Sequence, residues 1–234
     1  PFLLKLASDD GDVESQRQAL LTLSNLAANE INHSTMMHRN IMQVLSNAFS
    51  STDPDVSEYS SYSIANICSN PDYTSFVGKH GGIPPLIKLS MSCNINTQCL
   101  ALAALRRVAN SADNWARLID AGVLDTIAST GYSADREIQR ETAATLCSLS
   151  LSEPHRVEIA YKCIGAIIQL SSSGDAEVAR QSVGAMANLA EDVETHEYIA
   201  KAGGGRCMIS LESHDSIEIH REATRGIANL LSSF

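Results

Sequence analysis

A chain of 234 residues is long enough for one large domain or two average ones. Its hydrophobic content is 44 % but its aromatic content only 5 %, which leaves Ala, Leu, Ile and Val to fill the interior and favours helix-on-helix packing over a β-sandwich. Seventeen basic and 27 acidic residues give a net charge of −10, which argues against a generally basic nucleic-acid or anionic-membrane surface.

In chain order, an apolar segment at 2–6 is followed by predicted long helices over 14–29, 56–70, 97–110, 138–151, 178–191 and 219–232. Apolar segments at 41–45 and 83–89 precede the second and third of these, and Pro84 and Pro85 suit the opening turn of a helix. Gly81, Gly82, Gly122, Gly203 and Gly204 suit left-handed turns at helix ends, and the run at 114–119 marks a short helix ahead of one such turn.

These elements repeat. The positions Asn25, Asn66, Arg107, Ser148, Asn188 and Asn229 are spaced 41, 41, 41, 40 and 41 residues apart. Six residues before each stands a small side chain: Ala19, Ser60, Ala101, Thr142, Ser182 and Ala223. Three before, the residue is again small, and two before and one after it is apolar. Offsets −6, −3, −2 and +1 form the i, i+3, i+4, i+7 stripe of one helical face, so every repeat ends in an amphipathic helix that approaches its neighbours closely.

The repeat is thus a short helix, a glycine turn, a second helix, a polar turn and a long third helix. With the segment at 81–87 (Gly-Gly-Ile-Pro-Pro-Leu-Ile), Glu177-Val178 and the Asn-Leu-Ala endings at 25–27 and 188–190, the chain resembles the armadillo repeat family, of the catenin or vacuolar kind rather than the importin kind. The resemblance implies an all-α, right-handed α-solenoid of about five and a half to six armadillo repeats, at 1–29, 30–70, 71–111, 112–152, 153–192 and 193–234, forming a single domain over 1–234. Because the first repeat opens inside its second helix at Pro1, the chain is expected to be a fragment of a longer one.

The sequence carries no HExxH, GxSxG or Walker motif, and its seven histidines are scattered, with surface or helix-end positions expected. No catalytic residue, metal site or cofactor is expected. The six cysteines lack CxxC or zinc-finger spacing and read as small buried hydrophobes in a reducing compartment. No apolar run approaches the ~18 residues of a membrane span and no signal peptide is present, so an intracellular, cytoplasmic location is expected, with the nucleus or membrane association through flanking segments as alternatives. Trp115 is read as packing against a neighbouring repeat.

Offsets −8, −4 and 0 of the third helix share a second, polar stripe. The resemblance implies that third helices line a groove and that the position-0 asparagines, here Asn25, Asn66, Asn188 and Asn229, hold the backbone of an extended partner; Arg107 and Ser148 depart from that pattern. A carboxamide offers a donor and an acceptor to a peptide unit, although it can equally tie down a neighbouring helix end. Import adapters carry Trp at offset −4, where this chain offers only the aromatic Tyr62. The 18 stripe positions hold six of the twelve arginines, Arg17, Arg107, Arg140, Arg180, Arg221 and Arg225, against one acid. Arginine forks bind carboxylate and phosphate, so the stripe suggests a groove for an acidic or phosphorylated extended segment; pairing with neighbours such as Glu141 and Glu222 is the alternative. The expected function is a protein-binding scaffold without enzymatic activity, with an import adapter-like module or a helper domain of a ubiquitin ligase as alternatives.

Overall fold

Every long helix begins at the same place in the repeat. Asp12, Asp53, Asn94, Asp135, Asp175 and Ser216 stand at offset −13, and each accepts hydrogen bonds from backbone N–H groups of the first turn that follows. The computed structural model describes residues 2–9 and 11–232, and among them there is no strand. Pro1, at the start of the first expected repeat, lies outside the described residues.

The helices are α1 (Phe2–Ala7), α2 (Val13–Ala27), α3 (His33–Met37), α4 (Ile41–Phe49), α5 (Pro54–Ile67), α6 (Pro71–Lys79), α7 (Ile83–Leu89), α8 (Ile95–Ala109), α9 (Trp115–Asp120), α10 (Val123–Thr130), α11 (Arg136–Leu149), α12 (Arg156–Ser171), α13 (Ala176–Leu189), α14 (His196–Ala202), α15 (Gly204–Leu211) and α16 (Ile217–Leu231). The third helices are α2, α5, α8, α11, α13 and α16, and they start one or two residues earlier than expected because the caps fix their first turn.

By their contacts the residues fall into two compact units, Pro1–Ala121 and Gly122–Phe234. In the first, α2 packs on α5 and α5 on α8, with α4 and α7 behind them. In the second, α11 packs on α13 and α13 on α16, backed by α10, α12 and α15. The small residues at offset −6 are all buried. So are those at −3 from Ser63 onward, where Gly226 is the extreme case: a Cβ built on it would overlap the Met208 sulfur and lie 3.3 Å from Ala187 Cβ. In the first repeat Thr22 and Leu26 are exposed instead, and α1 is the one other described helix of that repeat.

The turn between first and second helices is decided at offset +15. Gly81, Gly122 and Gly203 there have φ of 80°, 87° and 88°, and Asn40 has φ of 55°. Glycine has no steric objection to this left-handed region and asparagine tolerates it. The fifth repeat carries Cys163 at this register, and its first and second helices run together as α12, 16 residues long. The sequence predicts a break in every repeat; the fifth has none, because a thiol-bearing side chain disfavours the left-handed turn.

Candidate functional site

In the unit Pro1–Ala121, Arg17 of α2 reaches the cap of α5. Its Nε donates to Asp53 Oδ1 at 3.1 Å and its Nη2 to Oδ2 at 2.5 Å, with Glu14 at 3.3 Å and Asp55 at 3.5 Å. Asp53 also accepts from the Val56 N–H at 3.1 Å, so one carboxylate caps a helix and holds an arginine of the preceding repeat. Chiefly through the Arg17 hydrogen bonds, its pKa falls to about 2. Tyr62 directs its hydroxyl to Thr97 Oγ1 in the first turn of α8. Asn66 Nδ2 donates to the Ser24 carbonyl of the preceding third helix at 3.3 Å. Asn25 is exposed, and Arg107 is half-buried with no ion pair among the described residues.

In the unit Gly122–Phe234 the arginine clasp recurs in the same register. Arg140 Nε and Nη2 lie 2.9 and 2.8 Å from Asp175 Oδ2, and Nη1 lies 2.7 Å from Glu137 Oε1. Burial raises the Asp175 carboxyl, but the Arg140 hydrogen bond and the Val178 N–H outweigh it and the net shift is downward. One repeat on, the cap is Ser216, which offers no carboxylate, and Arg180 instead folds onto Glu177 of its own helix at 2.9 and 2.6 Å. Arg225 is bound by Glu222 at 2.7 Å, by Glu191 at 3.1 Å and by Asn188 Oδ1 at 2.8 Å. Arg221 is exposed and forms no ion pair among the described residues.

The asparagines follow one rule. Asn229 Nδ2 donates to Ala187 O at 3.0 Å, the counterpart of Asn66 to Ser24 O. Asn188 Nδ2 donates to Ser150 Oγ at 2.9 Å, and Ser150 Oγ donates to Cys147 O at 2.8 Å, so a hydroxyl relays the tie to the equivalent carbonyl. Donors of Asn66, Asn188 and Asn229 therefore join successive repeats. The amide oxygens of Asn66 and Asn229 have no protein donor among the described residues.

Of the six stripe arginines, Arg17, Arg140, Arg180 and Arg225 thus meet acids of the same unit, the alternative weighed from sequence, while Arg107 and Arg221 do not. The carboxylates Asp53 and Asp175 were not legible as arginine partners because they lie off the stripe, yet both sit at the cap offset, which repeats as regularly as the stripe.

Trp115 Nε1 donates to the Ala109 carbonyl at 2.7 Å and fastens α9 to the end of α8; His33 and His196 tie to Ala27 O and Ala190 O at the same offset of +8. His33 is fully buried at a helix start. All six cysteines are free. Burial pushes the Cys68 and Cys163 thiols up to about 12. Cys93 is exposed, against the expectation of a buried hydrophobe. Among the described residues no His/Cys/Asp/Glu group has the arrangement of a metal site, and no helix is long and apolar enough to cross a membrane.

Three-helix repeats of 40 or 41 residues, third helix stacked on third helix and joined by an asparagine tie, define an armadillo-repeat α-solenoid. No family profile matches the chain. It is 28 % identical over 223 residues to Vacuolar protein 8 of Schizosaccharomyces pombe (strain 972 / ATCC 24843), a match covering 91 % of this chain and 40 % of that protein. It is also 28 % identical over 171 residues to Vacuolar protein 8 of Yarrowia lipolytica (strain CLIB 122 / E 150), covering 70 % of this chain and 29 % of that protein. The chain therefore spans well under half the length of these curated relatives. Among solved structures it is similar to an engineered protein (TM-score 0.76, 25 % identity, 99 % of this chain and 96 % of that one). It also resembles computationally designed armadillo repeat proteins for modular peptide recognition (TM-score 0.80, 20 % identity, 98 % of each chain). A third similar structure is a designed armadillo repeat protein in complex with the peptide (KR)4 (TM-score 0.76, 20 % identity, 98 % of each chain). The chain has the armadillo-repeat fold, and in sequence it is similar to vacuolar armadillo-repeat proteins.

Proposed function

We propose that this chain is a non-enzymatic scaffold that holds an extended segment of a partner protein along the third helices of its repeats. The observation that carries the reading is the common posture of Asn66 and Asn229: each commits its Nδ2 to the preceding repeat and keeps an amide oxygen without a protein donor, ready to accept from a peptide N–H. The designed neighbours support a peptide as occupant, by their recognition of peptides.

The finer reading is an acidic or phosphorylated segment, and it now rests on Arg107 and Arg221 rather than on all six arginines. A guanidinium that makes no internal ion pair keeps both edges of its fork for a carboxylate or phosphate in trans. The intracellular location belongs to the same reading and is supported by six free cysteines.

The test is capture of partner proteins by the wild-type chain and by Arg107→Glu and Arg221→Glu. An acidic segment is expected to bind the wild type, to weaken as salt rises, and to be lost from the charge-reversed variants while helical circular dichroism stays unchanged. Retention of the same partner at unchanged affinity by both variants would refute the acidic reading.

A further inference from the structure

Arg225 occupies offset −4 of α16 and reaches back onto α13. Its Nη2 donates to Asn188 Oδ1 at 2.8 Å and to the Gly184 carbonyl at 3.3 Å; Nη1 meets Glu191 Oε1 at 3.1 Å; Nε and Nη2 meet Glu222 Oε2 at 3.0 and 2.7 Å. Gly184 and Asn188 are themselves offsets −4 and 0 of the preceding repeat, the places where an extended partner would meet α13. Gly184 is buried, and a Cβ there would make ordinary contact at 3.8 Å with Cys147 Sγ and Glu222 Oε2. Glu191 is steadied from its other side by Arg156 Nη2 at 2.6 Å. Asn188 is only 7 % exposed, and both ends of its amide are engaged, unlike those of Asn66 and Asn229.

We propose that Asn188, the Gly184 carbonyl, Glu191 and Glu222 form a guanidinium seat, that Arg225 is its internal occupant, and that this occupant closes one step of the stripe to partners. Two carboxylates and two neutral oxygens converge on one planar fork, the geometry that suits arginine and that a single ammonium fills less well. An acidic side chain is repelled there by Glu191 and Glu222. With Arg225 withdrawn, the seat takes an arginine side chain of the partner, a step of the stripe that favours a basic side chain where Arg107 and Arg221 favour acidic ones. The seat itself stands on geometry alone; the claim that it gates a partner rests on the proposed peptide-binding face.

Two measurements separate these claims. In the first, Arg225→Ala is melted with and without millimolar N-ethylguanidinium, using N-ethylammonium as control. The guanidinium is expected to raise the melting temperature of the variant but not of the wild type, the ammonium to do less, and addition of Glu222→Gln to abolish the effect. Absence of guanidinium-specific rescue overturns the seat. In the second, binding of an alternating Lys-Arg octapeptide is followed by fluorescence anisotropy. Because apparent affinity falls in proportion to the fraction of competent sites, removal of an occupant present more than ~90 % of the time raises it by about tenfold or more. Rescue accompanied by unchanged peptide affinity keeps the seat and overturns the gating. Should Arg225→Ala not fold by circular dichroism, Arg225→Gln, which keeps the helix and removes the fork, carries both measurements.

Discussion

Arg17 and Asp53 meet across a repeat boundary through two hydrogen bonds, and the carboxylate that receives the guanidinium is also the cap of the next long helix. Arg140 and Asp175 reproduce the arrangement in the second compact unit. One acidic side chain at each of these junctions thereby fixes both where a helix starts and how the preceding helix lies against it.

This double use makes stability acid-sensitive. Asp53 is shifted from 3.8 to about 2, and Asp175 is lowered as well. A carboxyl whose folded pKa lies below its unfolded value contributes stability that is complete above the unfolded value and disappears as pH falls through the folded one. Melting temperature is expected to fall between about pH 4 and pH 2 on this account. In Arg17→Ala the Asp53 part of that fall shrinks. An identical pH profile for variant and wild type would show that the clasp contributes nothing.

The small-residue positions predict a difference between near neighbours. Ala101 on α8 is fully buried, and Ala103, on the polar stripe of the same helix, is half-buried. Ala101→Leu is expected to overpack the interface and destabilise by about 1–3 kcal/mol, with Ala103→Leu well below that. Thermal denaturation of the two variants decides it, and equal shifts would mean that the faces have been assigned wrongly.

Ser216 is the cap that follows an arginine at offset −8 of the preceding repeat, Arg180, but offers it no carboxylate. The Ser216 hydroxyl, donating to Glu218 Oε2 at 2.8 Å, is the main cause that holds the Glu218 carboxyl below its usual range, and the charges of Arg221 and Arg180 add to it, so both lie near this helix start. Ser216→Asp is expected to preserve the cap and recruit Arg180 from Glu177, raising stability by a few tenths to ~1 kcal/mol, as exposed pairs do. The gain should vanish in an Arg180→Ala background; a gain that persists there would come from the cap alone.

Repeat length, helix positions and buried faces were legible in the sequence because each depends on residue size and apolarity at a fixed period, as with Ala101 or Leu105. The caps at Asp53 and Asp175 carry an equally regular signal, but it is polar and lies outside the apolar pattern. The stripe itself is legible in the sequence, but the pairing of its arginines is not. Whether Arg180 points to Glu177 or into open groove depends on a side chain 36 residues away, Ser216 in place of an aspartate, and such cross-repeat pairing emerges only when the repeats are stacked. The break expected in the fifth repeat failed for a local reason, the substitution of glycine by Cys163.

That substitution also sets how the fifth repeat comes apart. In the fourth and sixth repeats the backbone hydrogen-bond ladder is interrupted at Gly122 and Gly203, so the helices on either side can fray from the turn outward. In α12 the ladder is continuous over 16 residues, roughly 24 Å of rise, with Cys163 buried near its middle. A segment of this kind has no internal end from which to unwind. Its central amides are expected to exchange with solvent when the rod detaches from α10 and α13, so that hydrogen exchange reads one shared opening free energy for them.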